Sequence, residues 1–109
     1  MRNDYERLKD ILEAINKIKK YANKGKKIFE QDELIQVWII HHLQIIGEAS
    51  AAMSQKLVED NPEIPWQDMR DFRNILVHEY FRVDPEIIWS VVTRELPILK
   101  QKIKQIDPK

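Results

Sequence analysis

Apolar residues recur three and four positions apart along most of this chain, a spacing that a helix gathers into one continuous face. Between Asp4 and Tyr21 the stripe is Tyr5, Leu8, Ile11, Leu12, Ile15 and Ile18. Asn23-Lys24-Gly25-Lys26-Lys27 interrupts it, with Gly25 available as a left-handed residue past the helix end. The lysines there read as a solvated loop. A long second helix is predicted over Asp32–Glu59, where Leu34, Val37, Trp38, Ile40, His41, Ile45, Glu48 and Ala52 map a broad, mostly apolar surface. Gly47, Ala49, Ser50, Ala51 and Ala52 are small enough to let another backbone come close, and packing within the core is the favoured use.

Prolines punctuate the second half. Asn61-Pro62-Glu63-Ile64-Pro65 ends the long helix, because each proline disfavours helical geometry at the residue before it. A third helix is expected from Pro65-Trp66 to His78 or Glu79. Asp84 can cap the next one, with Pro85 suited to its first position. Pro97 either kinks that helix or begins a separate short one carrying Leu99, Ile103 and Ile106. No segment alternates apolar and polar residues between turn signals, so no sheet is expected. The predicted fold is all-α: one domain over residues 1–109, an antiparallel bundle of four to five helices.

Composition narrows the chemistry. The absence of cysteine removes disulfides, thiolate metal sites and cysteine nucleophiles, and fits a reducing cytoplasm. The N-terminus lacks an apolar signal core, and the longest apolar run, Val37-Trp38-Ile39-Ile40, is far short of a membrane span. A cytoplasmic protein with no membrane partner is expected. The formal net charge is zero, so any nucleic-acid contact must use a local basic patch. Zero net charge also lowers the barrier to pairing with another copy.

The segment Arg73-Asn74-Ile75-Leu76-Val77-His78-Glu79-Tyr80 carries the chemistry. On a helix turning about 100° per residue, Met69, Phe72, Ile75 and Leu76 form the core face. Arg70, Asn74 and His78 fall on the other side with Arg73 beside them, framed by Val77 and Trp66. Guanidinium binds phosphate oxygens bidentately and stays charged, whereas imidazole exchanges protons near neutrality. RNA supplies its own nucleophile in the 2′-hydroxyl, so cleavage needs a proton acceptor, a proton donor and stabilisation of the charged phosphorane. No metal is required in principle, no Asp/Glu/His cluster has ligand spacing, and no cofactor is expected. Arg73 and His78 are five residues apart, separated by roughly 140° around an ideal helix. They converge if the helix ends or distorts near His78, or if two copies meet across a two-fold axis. The second route also supplies a second histidine and is favoured. Taken alone, such residues more often amount to a histidine that caps a helix or bonds within the core, and to arginines that are solvated or paired with neighbours such as Asp68 and Asp71.

Arg73-Asn74 followed by His78-Glu79-Tyr80 resembles the HEPN ribonuclease signature: Arg, a polar residue, three more residues, His, any residue, Tyr. The flanks Ile46-Gly47-Glu48-Ala49, Ile64-Pro65-Trp66, Met69-Arg70, Val83-Asp84, Ile88-Trp89 and Leu96-Pro97 resemble its HepT-like branch. The resemblance implies a homodimeric helical bundle whose two motifs share a cleft. It implies a metal-independent endoribonuclease, the toxin of a toxin–antitoxin pair. The implied partner is a minimal nucleotidyltransferase antitoxin that transfers AMP to the motif tyrosine, by position Tyr80; the alternative is that Tyr80 packs at the subunit boundary. Carried over residue by residue, Arg73 is the phosphate and transition-state ligand, His78 the general base or acid, and Asn74 an orienting group. Arg70 is added from the shared face, and Glu48 from the matched second-helix segment, where a structural bond to the motif helix is equally plausible. The alternative function is a non-catalytic, nucleotide-binding or substrate-presenting partner of the nucleotidyltransferase.

Overall fold

The computed structural model describes residues 3–79 and 82–106, and every regular element among them is helical. Helix α1 (Asp4–Ala22) begins with a capping box: Asn3 Oδ1 accepts the Glu6 N–H at 2.9 Å, while Glu6 Oε1 accepts the Asn3 N–H at 3.1 Å. A short α2 (Lys26–Gln31) follows Gly25, whose φ of 102° is the left-handed geometry foreseen for it. Lys26 and Lys27 therefore belong to a helix and not to the expected loop. That helix is too short to show a period, yet it buries Phe29.

Helix α3 (Glu33–Ala51), capped by Asp32, is the central rod. The single helix expected over 32–59 is in fact two, because Ser54 starts α4 (Gln55–Asp60) by accepting the Leu57 N–H at 3.2 Å. Asp4 holds that break in place, taking the Ser54 N–H at 3.0 Å and its Oγ–H at 2.6 Å. The Trp38 indole donates to the Lys17 carbonyl at 2.9 Å near the other end of α1, so α1 and α3 run in opposite directions.

Helix α5 (Trp66–Glu79) is also antiparallel to α3, since Ser50 meets Met69, Gly47 meets Arg73, and Gln44 reaches the Leu76 carbonyl. Its core face is rotated from the expected one. Leu76 and Trp66 are buried, the Trp66 indole N–H bonding the Asn61 carbonyl at 3.0 Å, whereas Ile75 is 45% exposed. Trp66 is therefore core rather than part of a polar frame. The rotation arises because α5 rests on α3 through Met69 and Arg73, which turns the Ile75 side outward.

The last rod is α6 (Pro85–Ser90), a π-helical turn (Val91–Glu95) and α7 (Leu96–Lys104). Asp84 caps it through the Glu86 N–H at 2.9 Å, with Pro85 in the first turn as expected. Pro97 has no N–H to offer and its ring crowds the carbonyl four residues earlier. The chain absorbs this in the wider π-turn, so one rod continues through the proline. Lys26 meets Glu86 at one end of this rod and Lys102 donates to the Glu63 carbonyl near the other. The four rods enclose a core that includes Ile11, Ile18, Phe29, Ile39, Leu76 and Ile103. Among the described residues no helix is long and apolar enough to cross a membrane.

Among the described residues His42 is the one ionisable side chain in that core, its Nδ1 lying 2.7 Å from the Trp38 carbonyl. Burial lowers its pKa, outweighing the carbonyl contact that raises it. The unfolded chain therefore binds a proton more readily, and the stability due to neutral His42 is present above about pH 6.5 and lost as pH falls through the folded-state value. Urea midpoints measured from pH 7.5 to 5 should fall more steeply for the native sequence than for His42→Gln; parallel profiles would contradict this assignment.

Candidate active site

Small residues make the site. Gly47 lets α5 approach so closely that an added Cβ would lie 2.1 Å from Arg73 Cβ and 3.1 Å from the Met69 carbonyl oxygen. The Arg73 stem thus lies against α3, and its guanidinium emerges half-buried at the edge of the helix pair. There one terminal nitrogen donates to Asn74 Oδ1 at 3.0 Å, and the other lies 3.8 Å from Glu48 Oε1. The fold brings Arg73, Asn74 and Glu48 together, and Glu48 meets the motif helix by an ion pair with Arg73.

Arg70 lies one turn earlier, donating to Gln67 Oε1 at 2.7 Å. The Nε atoms of both Arg70 and Arg73 are buried with no hydrogen-bond partner among the described residues. Sealing such donors costs about 1–3 kcal/mol each unless an acceptor reaches them. His78 stands apart: it is exposed in the last turn of α5. Because α5 stays α-helical through Glu79, Arg73 and His78 of one chain project about 140° apart. Distortion ahead of His78 does not bring them together. Tyr80 lies outside the described residues.

Helix α3 divides its apolar side chains between two faces. Ile35, Ile39, Leu43 and Ile46 enter the core, while Leu34 is 81% and Val37 52% exposed on the stripe that also carries His41 and Glu48. Val77 of α5 is a further 41% exposed. An uncovered apolar stripe beside the arginine cluster is a surface suited to burial against another protein. A groove of about 480 Å³ lies on the other flank of α5 between Leu43, Met69, Phe72 and Leu99, and none of the described motif side chains lines it.

Gln44, which caps a carbonyl near the end of the motif helix, was not foreseen. Nothing in a lone glutamine signals that contact. Gly47 was foreseen only as a small residue; its pairing with Arg73 needs the antiparallel register of α3 and α5.

A family model described as ribonuclease HepT-like matches residues 11–106. The chain belongs to the HepT-like ribonuclease family. It is 36% identical over 108 residues to "Probable ribonuclease HepT" of Thermococcus cleftensis, covering 96% of both chains. It is 34% identical over 98 residues to "Putative RNase MJ1380" of Methanocaldococcus jannaschii, covering 89% of this chain and 90% of that one. No solved structure matches at a significant level. HepT-like membership makes the chain an enzyme of a ribonuclease family with an all-α fold, as the motif around Arg73 and His78 led one to expect.

Proposed function

We propose that the protein is a metal-independent endoribonuclease, the toxin of a toxin–antitoxin pair, acting as a homodimer in the cytoplasm. The observation that carries this reading is the Arg73 guanidinium, steadied by Asn74 and Glu48 beside an uncovered apolar stripe. Two copies joined along that stripe bring two such guanidiniums to one phosphodiester, and Arg70 extends the cationic surface. The imidazole of one His78 takes the proton of the 2′-hydroxyl as its oxygen attacks phosphorus. The bond from phosphorus to the 5′-oxygen breaks, and the His78 of the second copy protonates that leaving oxygen. The products are a 2′,3′-cyclic phosphate and a free 5′-hydroxyl. Arginine binds the equatorial oxygens most strongly when their charge is greatest, in the phosphorane-like transition state.

Regulation follows from the same cluster. A minimal nucleotidyltransferase antitoxin would place AMP on Tyr80: the phenol oxygen attacks the α-phosphate of ATP and pyrophosphate leaves. The adduct's phosphate would occupy the arginines and block RNA.

The test is cleavage of RNA by purified protein in excess EDTA, with the new ends identified. Cyclic phosphate ends formed at an undiminished rate are expected. Cleavage abolished by EDTA and restored by a divalent cation would overturn the metal-independent mechanism. Saturable nucleotide binding with no cleavage in any condition would favour the substrate-presenting alternative.

A further inference from the structure

Nine of the twelve lysines fall in two stretches that contain no acidic residue, 14–29 and 96–106. The fold brings these stretches face to face. A groove of about 390 Å³ runs between α1 and α7, lined by Lys19, Lys100 and Lys104 together with Asn23, Thr93 and Gln101, and among the described residues no carboxylate lines it. Lys100 donates to Asn16 Oδ1 at 3.0 Å across it, which fixes the register of the two walls. The α6–α7 rod runs opposite to α1, so Lys19, Lys100 and Lys104 follow one another along the groove, each about one turn of helix, roughly 5 Å, from the next.

Lysines near helix C-termini also offset the helix dipole. That role does not require Lys19 and Lys100 on facing walls, nor a lining free of carboxylates. A row of ammonium groups interleaved with neutral hydrogen-bonding side chains suits a polyanion with regularly spaced charge.

We propose that the groove between α1 and α7 binds the phosphate backbone of single-stranded RNA, anchoring a substrate whose scissile bond lies at the Arg73 face. The assignment rests on the ribonuclease reading above. It explains how a chain of zero net charge holds RNA: three lysines share one groove.

The full chain carrying His78→Ala, which leaves RNA intact, is titrated against a labelled single-stranded oligonucleotide of about 12 nucleotides. Fluorescence anisotropy is followed over a range of salt concentrations. Lys19→Glu with Lys100→Glu should weaken binding about tenfold or more at 0.1 M salt. It should also reduce the salt slope by roughly 1.4, since each single-strand phosphate left without its lysine removes about 0.7. Lys9→Glu with Lys56→Glu changes net charge equally, and should leave affinity within about twofold. The milder pair Lys19→Gln with Lys100→Gln should fall between, which guards against misfolding of the reversal variant. Equal losses from both glutamate pairs, or no loss from either, would overturn the proposal. So would a loss seen for poly-glutamate but not for RNA, which would assign the groove to an acidic polypeptide. Dinucleotide cleavage by protein with native His78 reports the ribonuclease reading separately: its failure sinks that reading and leaves the RNA-affinity result standing.

Discussion

Replacing His78 by alanine is expected to slow RNA cleavage by at least about a hundredfold, the lower end of what a positioned acid or base contributes. The fold should survive, because His78 is exposed and no hydrogen bond ties it to the rest of the described residues. Thermal unfolding of the variant should therefore match the native protein within about 0.5 kcal/mol. RNA affinity should also change little, since the phosphate contacts proposed above belong to arginine and lysine side chains and not to His78. A first-order cleavage assay at saturating enzyme isolates the chemical step. Unchanged cleavage would remove His78 from the mechanism, and a parallel collapse of stability would make its role structural. On the two-copy mechanism each site draws on both imidazoles, so mixing native and variant chains should give activity below the native fraction.

Gly47→Val should be the most damaging single change to the α3–α5 contact. Where a Cβ would stand, Arg73 Cβ is 2.1 Å and Arg73 Cγ 2.7 Å away, and neither is the free end of a flexible side chain. The stem cannot swing aside without moving the helix that carries it. Replacing a helical glycine by alanine gains about 1 kcal/mol of helix propensity, and valine gains less. Overpacking a close contact costs about 1–3 kcal/mol or more. The steric cost wins, and a net loss of roughly 2 kcal/mol is expected from urea unfolding. Activity should fall further than stability explains, because displacing α5 moves the Arg73 guanidinium from Asn74 and Glu48. Wild-type stability and activity in this variant would show that the helix pair yields freely there.

How legible all this was depends on range. The ends of α1 and α5, the Asp84–Pro85 start and the left-handed Gly25 were all readable, because each is decided by a few neighbouring residues. The break at Ser54 was not, since it depends on Asp4, fifty positions away. The orientation of α5 failed for the same reason. Periodicity proposed Ile75 as core and Trp66 as outward, but contact with Gly47 chose the face. For the site, type and spacing proposed Arg73, Asn74 and His78, of which the fold joins Arg73 and Asn74 and leaves His78 apart, and a matched segment pointed to Glu48. That Arg73 and Glu48 form an ion pair is a tertiary fact, as is the convergence of Lys19 and Lys100 on one groove.

The outward stripe of α3 carries a consequence for dosage. On the proposed two-copy mechanism, output would fall with the square of protein abundance once copies are scarce, as pairing is bimolecular and Leu34 and Val37 then face water. On that mechanism a few free molecules would stay nearly silent. A modest surplus would cross quickly into full activity, giving the enzyme a threshold without any separate sensor.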